Sequence, residues 1–225
     1  GIFCGGKSEV LGEGETGLRA GECGKEIERR KIKNDLDRMF IEVVKSFSSA
    51  LDARDHYTVD HSKRISDSCR LIAERLYVKD GEKENIVLGA LLHDIGKIGI
   101  SDGILGKPTA LTPEEFDRVK QHPLISEEIL KPIAALKGCL KIIRHHHERY
   151  DGRGYPDGLM GRRIPLGARI LAVCDSYDAM ISERPYRGAM SARKAVAELK
   201  KNSGTQFDPR IAGIMIRLVE KGIFR

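Results

Sequence analysis

Seven side chains able to ligate a transition metal stand at five places along this chain: His61, the pair His93-Asp94, His122, the pair His146-His147, and Asp175. Neutral imidazole is the commonest protein ligand for such metals, and carboxylates join it in metal sites built between helices. Five imidazoles and two carboxylates are more than one ion needs. If Asp94 bridges, each of two ions receives about four protein ligands, with positions left open for water and substrate, as a catalytic centre requires. The densest piece is the run His145-His146-His147, which feeds a loop broken by Gly152, Gly154 and Pro156. Successive helical residues point about 100° apart, so two adjacent His can wrap one ion while a third turns away. Singly, each residue has a plainer reading: His61 as a satisfied core histidine, His122 as an ordinary helix end. His93-Asp94 and Asp175 sit in apolar runs, however, where an unpartnered charge is costly. Five such placements in one small domain argue for a single shared site.

The elements that must position these residues are all helical. Ile32, Leu36, Met39, Phe40, Val43, Phe47 and Ala50 recur at helical steps within 26–55, a linker or first helix whose apolar stripe suits either the core or a second copy of the chain. His61, Ile65, Cys69, Ile72 and Leu76 share one face of a second helix. A third spans about 82–97, which would put Lys97 one turn from His93 on the same face. Thr112 and Glu115 form a capping box with Pro113 at the first helical position, opening a helix that reaches His122 and is bent or stopped by Pro123. Further helices are expected to about residue 136, over 138–148, 168–182 and 191–201, and from Asp208-Pro209 onward. Strand-like alternation is nearly absent, so the fold class is all-α, a helical bundle with an N-terminal linker helix.

Residues 1–25 are Gly-rich and aperiodic, and read as a flexible tail or the remnant of an upstream domain. The chain opens on Gly rather than Met and shows no leader, which reads as a piece of a longer protein, with room for an upstream sensor or receiver domain. No run is long and apolar enough to span a membrane. Five scattered Cys (Cys4, Cys23, Cys69, Cys139, Cys174) favour reduced thiols and a cytoplasmic setting over a disulfide framework. The 39 Lys and Arg exceed the 33 Asp and Glu only modestly, and only 5% of residues are aromatic, so a nucleic-acid stacking surface is not expected.

Taken together, His93-Asp94-Ile95-Gly96-Lys97, Lys120-Gln121-His122-Pro123, the stretch from His146 through Gly154-Tyr155-Pro156, and Cys174-Asp175-Ser176-Tyr177-Asp178 resemble the HD-GYP subgroup of HD-domain phosphohydrolases. Arg184-Pro185-Tyr186-Arg187 and the stretch Gly204 to Pro209 extend the likeness, which covers about residues 40–222 as a catalytic domain. The resemblance implies a bacterial signalling phosphodiesterase that hydrolyses cyclic di-GMP to linear pGpG, or onward to GMP, through two divalent ions, Fe or Mn, and a bridging hydroxide. It implies His61, His93, Asp94 and Asp175 around one ion, and Asp94, His122, His146 and His147 around the other, leaving His145 as a bystander. Tyr57 stands where some members place a Glu for a third ion, which points to a dinuclear centre, while Asp60 and Ser126 replace common glycines.

The resemblance assigns Arg184 and Arg187, which lie one helical turn apart, to substrate phosphate. Guanidinium forks suit that task. Lys97 is expected to bind a phosphate oxygen or protonate the leaving group, with Asp94 and Lys97 as the catalytic pair. Gly154, Tyr155 and Pro156 fit either contact with base or ribose or a purely structural role in shaping the loop, and Asp178 is expected to orient Lys97 or a water. The competing readings are a catalytically weak cyclic-dinucleotide-binding module and a general nucleotide phosphohydrolase.

Overall fold

The computed structural model describes residues 13–54, 61–183 and 188–224. Among them the regular structure is helical: α1 (Glu13–Arg54), α2 (His61–Arg75), α3 (Asp80–Leu92), α4 (Asp102–Leu105), α5 (Pro113–Val119), α6 (His122–Leu130), α7 (Leu140–Arg144), α8 (Leu166–Ile181), α9 (Ala192–Lys201) and α10 (Pro209–Glu220), with short 3-10 turns between some of them. The all-α expectation holds. Among the described residues no helix is long and apolar enough to cross a membrane.

The chain divides into two units, residues 1–43 and 44–225. The first holds most of α1, which begins at Glu13 and so takes in half of the segment set apart by its glycines. Ile32, Leu36 and Met39 are about three-fifths exposed along it. The second unit holds every candidate ligand. There the last turns of α1 bury Val44, Ser48 and Asp52. The Asp52 carboxylate accepts from the Ser62 amide at 3.1 Å and the Ser62 hydroxyl at 2.7 Å. An acidic side chain borrowed from α1 thus caps α2, where a helix leaves its first amides without partners, and fixes the turn that carries His61.

The core is shared by α2, α3, α8, α9 and α10 and includes the fully buried Ile65, Ile72, Ile86, Ile170, Leu171, Leu199 and Met215. Each such side chain contributes roughly 1.5–3 kcal/mol by leaving water. On α2 the apolar face that buries Ile65, Cys69 and Ile72 also buries His61. The same face therefore holds the helix in the core and aims an imidazole inward.

Three helices end earlier than periodicity predicts. The expected 82–97 helix stops at Leu92, and Ile95–Gly99 forms a 3-10 turn. α5 stops at Val119, and His122 opens α6 instead of closing α5. α7 stops at Arg144, leaving His146 and His147 beyond its end. One cause accounts for all three. The last carbonyls of a helix have no amide partner, and a histidine side chain can supply one. His93 Nδ1 donates to the Ala90 carbonyl at 2.9 Å, His122 Nδ1 to Val119 at 2.7 Å and His146 Nδ1 to Ile143 at 2.6 Å. α6 also ends short, at Leu130 rather than near 136, because Pro132 cannot continue the helical ladder.

The 3-10 turn and α6 meet backbone to backbone. A Cβ on Gly96 would stand 2.0 Å from the His122 carbonyl oxygen and 2.6 Å from the Ser126 nitrogen. Only glycine fits, and the contact brings His93-Asp94 against His122. Gly96→Ala should destabilise the protein by at least about 2 kcal/mol, because the obstacle is backbone and cannot rotate away. Urea denaturation checks this, and an unchanged midpoint would contradict the close approach.

Candidate metal centre

Five segments deliver the seven candidate ligands: the start of α2, the end of α3, the start of α6, the turn after α7, and the middle of α8. The structure brings them into two groups. His61, His93 and Asp94 can offer ligand atoms within 4.8 Å of one another, and so can His122, His146 and His147. Asp175 joins the first group, with Oδ1 at 3.8 Å from His61 Nε2. Asp94 lies between the groups. Its Oδ2 stands 3.3 Å from His93 Nε2, and its Oδ1 stands 3.3 Å from His122 Nε2. His61, His93, His122 and His146 are all but inaccessible to solvent.

Hydrogen bonding fixes which nitrogen faces the site. A carbonyl oxygen only accepts, so His93, His122 and His146 each carry a proton on Nδ1 and present Nε2 inward. His61 reaches the same state through Asp178, whose Oδ2 accepts from Nδ1 at 2.7 Å. Arg64 holds that carboxylate in turn, with Nε at 2.7 Å from Oδ1 and Nη2 at 3.0 Å from Oδ2. Burial would raise the Asp178 pKa, but His61 and Arg64 bring it down to about 2.

The inward nitrogens lack protein donors. Nε2 of His61 and Nε2 of His93 are buried without a hydrogen-bond partner. His122 Nε2 and His146 Nε2 face each other at 3.3 Å. Burial lowers the His122 pKa and drives those of His146 and His147 well below the usual imidazole value, so these rings are neutral. Lone pairs of neutral imidazoles then confront one another and the Asp94 carboxylate, an arrangement that needs a cation between them. The donor set, imidazole with carboxylate and no thiolate, suits a divalent transition metal. The residues of both groups therefore fit bound metal.

Positive charge already gathers at the junction. Burial would lower the His93 pKa, but the Asp94 charge beside it carries it up to about 9. Burial would raise Asp94, yet His93 and Lys97 hold its carboxyl well below the usual range. Lys97 Nζ lies 2.7 Å from Asp94 Oδ2. Lys97 sits on the 3-10 turn rather than on α3, so it reaches the site by a different route from the helical one expected.

Other expectations are met differently. Asp178, expected beside Lys97 or a water, has its carboxylate on His61 and Arg64. The freedom of Gly154 serves the chain's own backbone: a Cβ there would stand 2.3 Å from the Arg149 nitrogen and 2.5 Å from the Glu148 Cα. The Tyr155 ring stacks on His147, centroids 4.8 Å apart and planes at 25°. The Tyr155-Pro156 bond is cis. His145 turns off the site, donating from Nδ1 to the Lys141 carbonyl at 2.8 Å, while its Nε2 lies 2.8 Å from Asp157. Arg184, Arg187, Tyr57 and Asp60 lie outside the described residues.

Sequence reasoning passed over several supporting groups. The buried Glu148 carboxylate accepts from the amides of Asp157 at 2.8 Å and Leu159 at 3.1 Å, tying the loop to the histidine turn. A charge directly behind a ligand pair was the available signal. Ser126 accepts from the Gly96 amide at 2.8 Å and donates to the His93 carbonyl at 3.1 Å, so the residue that replaces glycine stitches α6 to the ligand turn. Arg64 and Asp52 carry no local signal, because their partners are distant in sequence.

Comparison with known proteins shows a family and a shared fold. The HD domain family model matches residues 45–211. A Vibrio cholerae protein named 3'3'-cGAMP-specific phosphodiesterase 3 is 40% identical over 175 residues, covering 77% of this chain and 38% of its own length. The cyclic di-GMP phosphodiesterase response regulator RpfG of Xanthomonas campestris is 41% identical over 187 residues, covering 82% and 49%. A cyclic di-GMP phosphodiesterase of Thermotoga maritima is 39% identical over 188 residues, covering 82% and 50%. The chain thus spans half or less of the length of these curated relatives. Among solved structures, a cyclic GMP-AMP specific phosphodiesterase of Vibrio cholerae superposes with a TM-score of 0.65 at 19% identity, over 80% of this chain and 48% of that one, which shows the shared fold.

Two predictions arise here. Asp178→Ala leaves His61 free to rotate and should weaken metal binding about 10–100-fold, the usual effect of losing a carboxylate behind a ligand histidine. Metal titration checks this, and unchanged affinity would remove Asp178 from the site. The second concerns acid. Without metal, His122, His146 and His147 stay neutral in the fold but protonate near the ordinary 6.5 once unfolded. The unfolded chain then binds more protons below that pH, so stability falls with pH by up to about 1.4 kcal/mol per unit for each such imidazole. His93 acts oppositely: its contribution is complete below 6.5 and is lost as pH rises through about 9. Metal-stripped protein should therefore melt at a lower temperature at about pH 5.5 than at about pH 7, and a flat profile would contradict the neutral imidazoles.

Proposed function

The chain belongs to the HD domain family, and on that premise we propose that it is a metal-dependent phosphodiesterase opening cyclic di-GMP to the linear dinucleotide through two divalent ions, Fe or Mn. The observation that carries the reading is Asp94, whose two oxygens each face one group of histidines. His61, His93, Asp94 and Asp175 would hold one ion, and Asp94, His122, His146 and His147 the other. A bound metal pair supplies Lewis acidity at the phosphoryl oxygens and hydroxide at neutral pH.

The chain's own residues do the rest. Lys97, kept at the junction by Asp94, adds a positive charge beside the phosphate or protonates the departing sugar oxygen. Arg184 and Arg187 are assigned to the non-bridging oxygens on the strength of the family resemblance. Asp178 holds His61 rather than substrate in this reading. The Tyr155 stack on His147 supports a role for Gly154-Tyr155-Pro156 at the edge of the substrate, with base or ribose beyond it. The buried thiols of Cys69, Cys139 and Cys174 support a cytoplasmic setting. The exposed stripe Ile32, Leu36, Met39 and Val43 supports pairing of α1 with a second copy, and its steps of three and four residues suit a coiled coil. An upstream sensor or receiver domain is part of the same proposal.

Protein purified without oxygen under reducing conditions should hold about two Fe or Mn per chain and linearise cyclic di-GMP faster than 3'3'-cGAMP. Full occupancy without turnover would replace the enzyme by a binding module, and faster turnover of 3'3'-cGAMP would overturn the substrate. Lys97→Met should lower kcat on the order of 10²-fold with metal content unchanged. Elemental analysis beside steady-state kinetics separates the two effects, and an unaltered kcat would remove Lys97 from the chemistry.

A further inference from the structure

Away from the metal ligands, a cavity of about 470 Å³ opens where the end of α2, the loop behind His147 and the first turns of α8 and α10 come together. None of its walls is a candidate metal ligand, nor Lys97 or the Gly154-Tyr155-Pro156 stretch. The volume lies within the range of small-molecule sites. Leu166 and Ile211 give it an apolar side, and Tyr150 adds an aromatic ring.

Its charge is basic. Arg162, Arg169 and Arg210 all line it, against one carboxylate, Asp208. That carboxylate is already committed. Its Oδ2 takes Arg169 Nη1 at 2.5 Å, and its Oδ1 accepts the amides of Arg210 at 2.9 Å and Ile211 at 3.4 Å as the cap of α10. Among the described residues, neither Arg162 nor Arg210 has an ion-pair partner. Two exposed guanidinium forks without ion-pair partners among the lining of a pocket suit the oxygens of a phosphomonoester. The tyrosine ring and apolar side suit a planar base.

We infer that this cavity is a second ligand site, separate from the metal centre, for a nucleoside monophosphate. Its walls lead to the histidine turn. Tyr150 follows His147 by three residues, donates its amide to the Gln206 carbonyl at 3.1 Å and accepts from the Gly161 amide at 2.9 Å. A ligand bridging Tyr150 and Arg210 would fasten the loop that begins at the ligand pair.

The test is calorimetric titration of the metal-loaded full chain with GMP, guanosine and inorganic phosphate. GMP should bind at least tenfold more tightly than either fragment. The double variant Arg162→Ala, Arg210→Ala changes two exposed side chains, so melting temperature and metal content should stay as in the parent while GMP affinity falls at least tenfold. Absence of GMP binding would overturn the site. GMP affinity unchanged in the double variant would do the same, since it places the nucleotide elsewhere, the metal centre included. Phosphate binding as tightly as GMP would overturn the nucleotide assignment.

Discussion

Everything at this centre depends on which nitrogen of each imidazole is tied to the fold. In His122 and His146 the proton lies on Nδ1, held by a carbonyl three residues back at the end of a helix, and His93, kept charged by Asp94, makes the same bond. His61 does the same through Asp178. The opposite nitrogens are left inward, dry and without donors. A protein interior tolerates such a gathering of acceptors only if a cation stands among them. The fit of these residues to a cation is therefore a consequence of how the rings are hydrogen-bonded to the fold, one step before any coordination chemistry.

Much of this was legible in the sequence, and the part that was not has a consistent physical origin. The apolar faces that bring the candidate ligands inward and the caps at Thr112 and Asp208 are local signals, and the structure shows both. Helix ends at the ligands were not. Periodicity carried the third helix through His93 to Lys97, since Ile95 continues the apolar pattern, yet the chain turns at Asp94 because the His93 ring takes a helical carbonyl. The comparable ends at Val119 and Arg144 follow the same rule. Side-chain competition for backbone groups leaves no trace in hydropathy. Arg64, Asp178 and Asp52 show the other limit: each acts on a partner that only the tertiary fold brings near.

The loop behind the histidines is built to stay put. Asp157 takes Arg144 at 2.8 and 2.9 Å and His145 at 2.8 Å, and burdens of charge are shared with Glu127 through Arg144 at 2.6 Å. Arg144 brings the Asp157 carboxyl down to about 2. Glu148 grips the far end of the loop by two amides. Close approach at Gly154 brings the loop backbone onto residues 147–149. His145 belongs to this anchorage, which explains why a third imidazole can lie beside the ligand pair without joining it.

The helix-end carbonyls also bear on how the fold and the ligand field are related. Rings already pinned at one nitrogen have little rotational freedom to lose when the other is engaged, so the entropy of orienting them belongs to folding rather than to ion capture. The same carbonyls carry the negative ends of peptide dipoles and draw on the Nδ1–H bonds, which makes Nε2 a stronger electron donor. For His122 and His146, preorganisation and basicity have one source, the unsatisfied last turn of a helix.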